Sequence, residues 1–152
     1  MKTIKEIIKQ KPVFLNDWAE GCKVDLISDF EDIYMSKKEY EAEVSPYPNV
    51  KAWEEKKVRM TEQIKAYEDK NILFASYGCA CYEGDAWVLF EQNSLLFEVN
   101  GSHCSCYGLE HQWEPEDITL KELENRLVNG SFGVDDYSGN GFANELRVFL
   151  GV

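Results

Sequence analysis

From Asn71 to Leu120 the chain contains no lysine and no arginine. Those two side chains grip phosphate backbones and anionic membrane surfaces, so this third of the molecule carries neither kind of footprint. The deficit extends to the whole chain, where 16 basic residues face 28 acidic ones and the formal charge is -12. Direct binding to a free nucleic acid is therefore not expected. A basic protein partner would be attracted. Long apolar runs are also missing, so no membrane span is expected. The first residues, Met1-Lys2-Thr3-Ile4-Lys5-Glu6, place charges where a signal peptide needs an apolar stretch, and a cytoplasmic location follows as the expectation. There is no internal repeat and no linker between domains. The 152 residues are read as one globular domain spanning 1–152, long enough to bury most of its apolar surface.

Much of the chain is apolar and aromatic, 44% and 13%, which suits a packed core rather than a disordered tail. The clearest local pattern is a hairpin. Ala86 to Glu91 and Leu95 to Val99 are runs of strand-favouring residues separated by Gln92-Asn93-Ser94, where Asn tolerates the positive φ of a tight turn. Alternation puts Trp87 and Leu89 on one face and Val88 and Phe90 on the other. On the second strand, Leu95, Phe97 and Val99 point one way, and Leu96 and Glu98 the other. Ile72 to Tyr77 reads as a third strand. After Val99, Asn100-Gly101 is expected to reverse the chain, leading into a sulfur-rich cap in which Cys104 and Cys106 pack under Tyr107, Leu109 and Trp113.

Helices are expected on either side of these strands. Ile4, Ile7 and Ile8 predict a short helix ending before Pro12. Phe14 to Cys22 is ambiguous, with Asn16 able to cap a helical turn and Gly21 to end it. Val24 to Ile27 reads as a short strand and Asp29 to Ala42 as a polar helix. Ala52 to Lys70 is the longest helix, with Trp53, Met60, Ile64 and Tyr67 in one stripe. Thr119-Leu120-Lys121-Glu122 has the capping-box pattern ahead of a helix carrying Leu120, Leu123, Leu127 and Val128. A glycine-rich loop from Gly130 to Gly141 carries Asp135 and Asp136, and Phe142, Leu146, Phe149 and Leu150 mark a last helix. The expected class is α+β: a small antiparallel β-meander of about three to four strands, packed with N- and C-terminal helices on one face.

Three constellations could carry chemistry. Cys79, Cys81, His103, Cys104 and Cys106, with His111 beyond, are ligand-type side chains, and zinc is the ion that mixed thiolate and imidazole ligands would hold. The spacing is C-x-C, where structural zinc sites usually show C-x₂-C, and the alternative is that these cysteines are small buried hydrophobes. A cysteine nucleophile would need a base within reach, from His103 with Cys106 or His111 with Cys104, with Glu110 to orient it, but no triad is identifiable. The third constellation is acidic. Asp25, Asp29, Glu31, Asp32, Glu39, Glu41 and Glu43 form one tract, opposed only by Lys37 and Lys38. Glu110, Glu114, Glu116 and Asp117 belong to a second. Carboxylates arrayed in this way can imitate the phosphates of a nucleic acid and occupy a basic groove on another protein. The alternative is a solvated surface that keeps a small protein soluble.

The run Tyr82-Glu83-Gly84-Asp85-Ala86-Trp87-Val88-Leu89-Phe90, followed by Glu98 to Glu110 and Gln112-Trp113-Glu114-Pro115-Glu116, resembles an uncharacterised family of small bacterial and bacteriophage proteins. The resemblance covers about the middle third of the chain. It implies a microbial or phage origin and brings no catalytic assignment. Together with the charge, it makes a small, non-enzymatic, acidic inhibitor the expected function, with no resident cofactor. The expected partner is a basic host defence or nucleic-acid-binding protein.

Overall fold

A computed structural model describes residues 1–135 and 137–152, so the expectation for Asp136 lies outside the described residues. The architecture is α+β. Among the described residues, five strands lie side by side in chain order: β1 (Val13–Asn16), β2 (Asn71–Tyr77), β3 (Gly84–Gln92), β4 (Leu95–His103) and β5 (Glu116–Asp117). All neighbours are antiparallel except β1 and β2, which run parallel. A parallel pair needs a long crossover, and here it carries α2 (Lys23–Phe30), α3 (Lys37–Glu41) and α4 (Val50–Ala66). The remaining helices are α1 (Ile4–Ile7), α5 (Leu120–Asn129) and α6 (Ala143–Leu150).

The hairpin forms as expected. Asn93 and Ser94 have φ of 53° and 66°, the two left-handed residues of a two-residue hairpin turn. Leu89 lies opposite Glu98 and Phe90 opposite Phe97. In β2 the register slips between Ile72 and Phe74, so Leu73 and Phe74 both turn toward the same core.

Helices cover both faces of the sheet, not one. On the first face Phe74, Trp87, Leu89 and Leu96 pack against Ile7 of α1, Leu123 and Leu127 of α5, and Leu146, Phe149 and Leu150 of α6. On the second, Ala75, Val88, Phe90 and Val99 pack against Leu26 and Phe30 of α2, with Trp18 and Leu109. Behind α2, a third cluster joins Ile27, Ile33 and Met35 to Trp53 and Met60 of α4 and to Tyr67, which caps its C-terminus. The cause is visible in β3: four successive residues, Trp87 to Phe90, are bulky and apolar, so each face needs cover. Glu98, a charged residue on the first face, is 2% exposed. Arg126 Nη1 donates to its Oε1 and Oε2 at 2.9 and 3.0 Å, and Trp87 Nε1 donates to Oε2 at 2.7 Å.

Several local expectations are corrected. Val24 to Ile27 is helical, not a strand. Asp25 Oδ2 accepts from the Cys22 backbone N–H at 3.0 Å, a capping interaction that starts α2 and turns Leu26, Ile27 and Phe30 inward. The helix expected over Asp29 to Ala42 is broken after Phe30. Ser28 Oγ accepts from the Met35 N–H at 2.8 Å, which folds the chain back and buries Ile33 and Met35. Asp32 and Tyr34 take positive φ in that turn, and Ser36 caps the restart at α3. Phe14 to Cys22 resolves into β1 and a turn. Asn100 and Gly101 do not reverse the chain. They continue β4 opposite Trp87 and Ala86, and the Leu109 side chain lies where a Cβ on Gly101 would point. The cysteines after β4 are not a buried cap either. Cys104 and Tyr107 bridge a tight turn, with Cys106 and Tyr107 exposed at its tip. Val128 on α5 is exposed, while Leu123 and Leu127 carry the buried stripe.

Candidate functional site: an acidic face centred on Asp29

The crossover helices and the segment after β4 lie on the same side of the sheet, so the two acidic tracts meet. Asp29 sits on α2, and its Oδ2 accepts from Trp18 Nε1 at 2.7 Å. The residue keeps solvent contact over much of its surface. Protein atoms nonetheless crowd the carboxyl closely enough that desolvation is the largest influence on it, and its pKa is raised. The Trp18 hydrogen bond opposes the rise, as does His103, while Asp25 and Asp17 add to it.

Two neighbouring tyrosines respond to the same field. Burial pushes the Tyr77 hydroxyl well above its ordinary range, and Asp29, Asp17, Cys79 and Glu110 push it further. Tyr34 is raised chiefly by its hydrogen bond to Asp32, with contributions from Glu110 and Asp29. Glu110 belongs to the second tract and the aspartates to the first or its flank, so these couplings join segments far apart in sequence.

Two open clefts flank this centre. One, of about 400 Å³, is lined by Asp17, Glu20, Asp25, Asp29 and Glu39, and none of its lining residues is a lysine or an arginine. Tyr34 stands at its edge, 75% exposed. The other, of about 490 Å³, is lined by Glu31, Asp32, Glu110 and Glu114, with Arg59 and His111 as its basic residues. Its aromatic floor includes Trp113, which meets Phe30, Tyr67 and Phe90 at centroid distances of 5.0, 4.9 and 5.4 Å.

Some of the carboxylates are also structural. Glu31 Oε1 accepts from the Tyr67 hydroxyl at 2.6 Å, and Glu39 Oε1 accepts from the Tyr47 hydroxyl at the same distance. Glu110 accepts from the Gly108 N–H. Glu41 pairs with Lys37 at 4.0 Å on an exposed helix turn, a contact of little energetic weight. Glu43 is exposed beyond α3. Glu116 and Asp117 stand apart from the others, in β5 at the sheet edge beside β4. Sequence reading missed Asp17 and Glu20, which fall just before the first tract. Asp17 becomes part of the face only because β1 ends beside β2, where the Asp17 N–H donates to the Tyr77 carbonyl.

Four of the five cysteines, Cys79, Cys81, Cys104 and Cys106, lie near one end of the sheet, while Cys22 caps α2. His103 Nε2 lies 3.2 Å from Cys79 Sγ, and the His103 ring meets Tyr77 edge-on at 5.1 Å. His103 thus pairs with Cys79, not with Cys106, and His111 is exposed on a positive-φ turn. Cys81 and Cys106 are exposed at turn tips, and Cys104 Sγ accepts from the Cys106 N–H at 3.3 Å. Among the described residues, no group of three or more histidine, cysteine or acidic side chains is arranged to hold a metal ion.

In class, this is a small α+β protein with helices on both faces of one sheet and an acidic face joining its two halves. No protein-family model, curated protein or solved structure matches the chain. No helix among the described residues is long and apolar enough to cross a membrane.

Proposed function

We propose that the protein is a non-enzymatic binding module whose acidic face occupies a basic surface on another protein. The observation that carries this reading is the meeting of the two acidic tracts in the cleft lined by Glu31, Asp32, Glu110 and Glu114, together with the Asp29 cleft, whose lining has five carboxylates and no lysine or arginine. A field of one sign steers a partner of the opposite sign and disfavours wrong partners. The tight turns holding Asp32 and Tyr34 and the hydrogen bonds to Glu31, Glu39 and Glu110 favour a preorganised surface, which lowers the entropy lost on binding. In the finer form of the proposal, the partner is a host defence or nucleic-acid-binding protein in the cytoplasm. The carboxylates then stand in for phosphates, as a phage-type inhibitor would require. The test is affinity capture from a bacterial lysate, with the captured protein purified and titrated at rising salt. One dominant basic partner that stays bound at high salt supports shape-specific inhibition. Equal affinity for every basic protein, lost at modest salt, refutes it.

A second reading rests on the contact between Cys79 and His103. In it, zinc bound by that pair with Cys81 or Cys104 stabilises the sheet end. Metal content and the melting temperature in chelator decide it: one zinc per chain and a large chelator-induced loss of stability support it, and neither change excludes it.

A further inference from the structure

Of the five cysteines, Cys79 combines solvent exposure with a basic nitrogen in reach. It is exposed just after β2, and its Sγ lies 3.2 Å from His103 Nε2. Cys81 and Cys106 are also exposed, at turn tips away from any such contact among the described residues. Cys104 is half-buried, and its Sγ accepts from the Cys106 N–H. Cys22 is half-buried too, its thiol donating to Asp25 Oδ2 at 3.3 Å.

The pairing of Cys79 with His103 is built into the sheet. His103 ends β4 opposite Gly84, the first residue of β3, and Cys79 follows β2 on the far side of that strand. The imidazole must therefore cross β3 to reach the thiol. It can do so because Gly84 has no side chain, since a Cβ there would collide with His103 Cε1. Tyr77 meets the ring edge-on at 5.1 Å and supports it from the β2 side. His103 Nδ1 is buried and has no hydrogen-bond partner among the described residues. No acceptor holds a proton on Nδ1, as the third member of a triad would. Packing, not a second hydrogen bond, turns Nε2 toward the sulfur. The result is a two-residue pair, a nucleophile with a base at a distance over which a proton can pass.

The surroundings select the reagent. Asp29 feels the charge of His103, and Tyr77, against the ring, feels Asp29, Asp17 and Glu110. A field of that sign disfavours an anionic reagent. Conjugate addition suits a pair without a third member, because it needs no leaving group. We propose that Cys79 is a covalent-modification site for small uncharged α,β-unsaturated carbonyl compounds, with His103 as its base. His103 Nε2 takes the thiol proton as Sγ forms a bond to the β-carbon. The C=C π pair moves toward the carbonyl to give an enolate, and the proton is returned to the α-carbon. The product is a thioether that keeps every atom of both reactants, with no oxidant or reductant consumed. This chemistry does not require the acidic face to bind a protein.

The test reacts the folded chain with limiting N-ethylmaleimide and follows each cysteine by peptide mass spectrometry. Cys79 is expected to react at least about tenfold faster than Cys81 and Cys106, a small part of what a positioned base supplies in an enzyme. In concentrated urea, where the contact with His103 is lost, the three rates are expected to converge. His103→Gln should remove the advantage of Cys79 and leave Cys81 and Cys106 unchanged, with slow reaction of half-buried Cys22 reporting that the variant is folded. Should that variant unfold, the comparison of folded and urea-unfolded wild type decides alone. A maleimide bearing a carboxylate should show a smaller preference for Cys79. The proposal is overturned if Cys79 reacts no faster than Cys81 and Cys106, or if its advantage survives urea or a folded His103→Gln. It is equally overturned if the carboxylate-bearing reagent favours Cys79 as strongly, or if Cys79 is protected until chelator exposes it, which would assign the pair to zinc.

Discussion

The buried carboxylate of Glu98 gives the sharpest energetic prediction. Its three contacts, two from Arg126 and one from Trp87, satisfy it within the first core. Removing one partner of a buried ion pair strands the other, at a typical cost of about 3–5 kcal/mol. The Arg126 side chain is 41% exposed and that of Glu98 3%, so in Arg126→Ala water can enter from the Arg126 side. The expected loss is therefore reduced to about 2–3 kcal/mol. Glu98→Gln is the opposite cut. It keeps the shape and the acceptor for Trp87, and it leaves a guanidinium that already reaches water, so its expected cost is about 1 kcal/mol. Replacing both residues with leucine removes the charges together and should come within about 1 kcal/mol of the wild type. Urea unfolding at neutral pH, followed by tryptophan fluorescence, measures all three. If Glu98→Gln costs as much as Arg126→Ala, the asymmetry of exposure does not control the pair and the reasoning fails.

Three further predictions concern single residues. Ser94→Gly at the second left-handed position of the hairpin turn should stabilise by about 0.5–1 kcal/mol, and a destabilised variant in the same urea assay would contradict the turn assignment. Thr119→Ala should cost about 1 kcal/mol through loss of the cap on α5, and a smaller loss of Tm for the same change at Ser131, which caps no helix, is the control. Asp29 has a raised folded-state pKa, so the folded chain holds its proton over a pH window in which the unfolded chain has released it. Its contribution is therefore full below the ordinary carboxylate range and declines as pH rises through the raised value. Asp29→Asn should remove that decline, and a stability profile parallel to wild type between mildly acidic and neutral pH would refute it.

The strands and turns with local chemistry were legible in the sequence. The hairpin announced itself through Asn93-Ser94 and alternating apolar residues, and α5 through its capping box. What the sequence could not show was set by tertiary pairing. Val13 to Asn16 is too short to signal a strand, and only parallel pairing with Phe74 to Tyr77 makes it one. Val24 to Ile27 is β-branched and apolar enough to imitate a strand, but the Cys22–Asp25 cap decides for helix. Asn100-Gly101 looks like a turn, yet it remains in the sheet because β3 extends back to Gly84 and pairs with it. The same holds for the candidate site. Each acidic tract could be counted from the sequence, but their meeting depends on the crossover that brings α2 beside the chain following β4. The contact between Cys79 and His103 likewise follows from the pairing of Gly84 with His103.

The central claim is that the face about Asp29 binds a basic surface through its arrangement and not through net charge alone. Two variants with the same change in charge separate these. Asp29→Asn with Glu110→Gln neutralises the centre of the face, and Glu116→Gln with Asp117→Asn neutralises the distant sheet edge. Each is titrated calorimetrically against the captured partner at fixed salt. The first pair is expected to weaken binding by at least tenfold while the second changes it by less than about threefold, the difference between buried and rim charges. Equal weakening by both pairs, or a larger loss at the sheet edge, would contradict the claim.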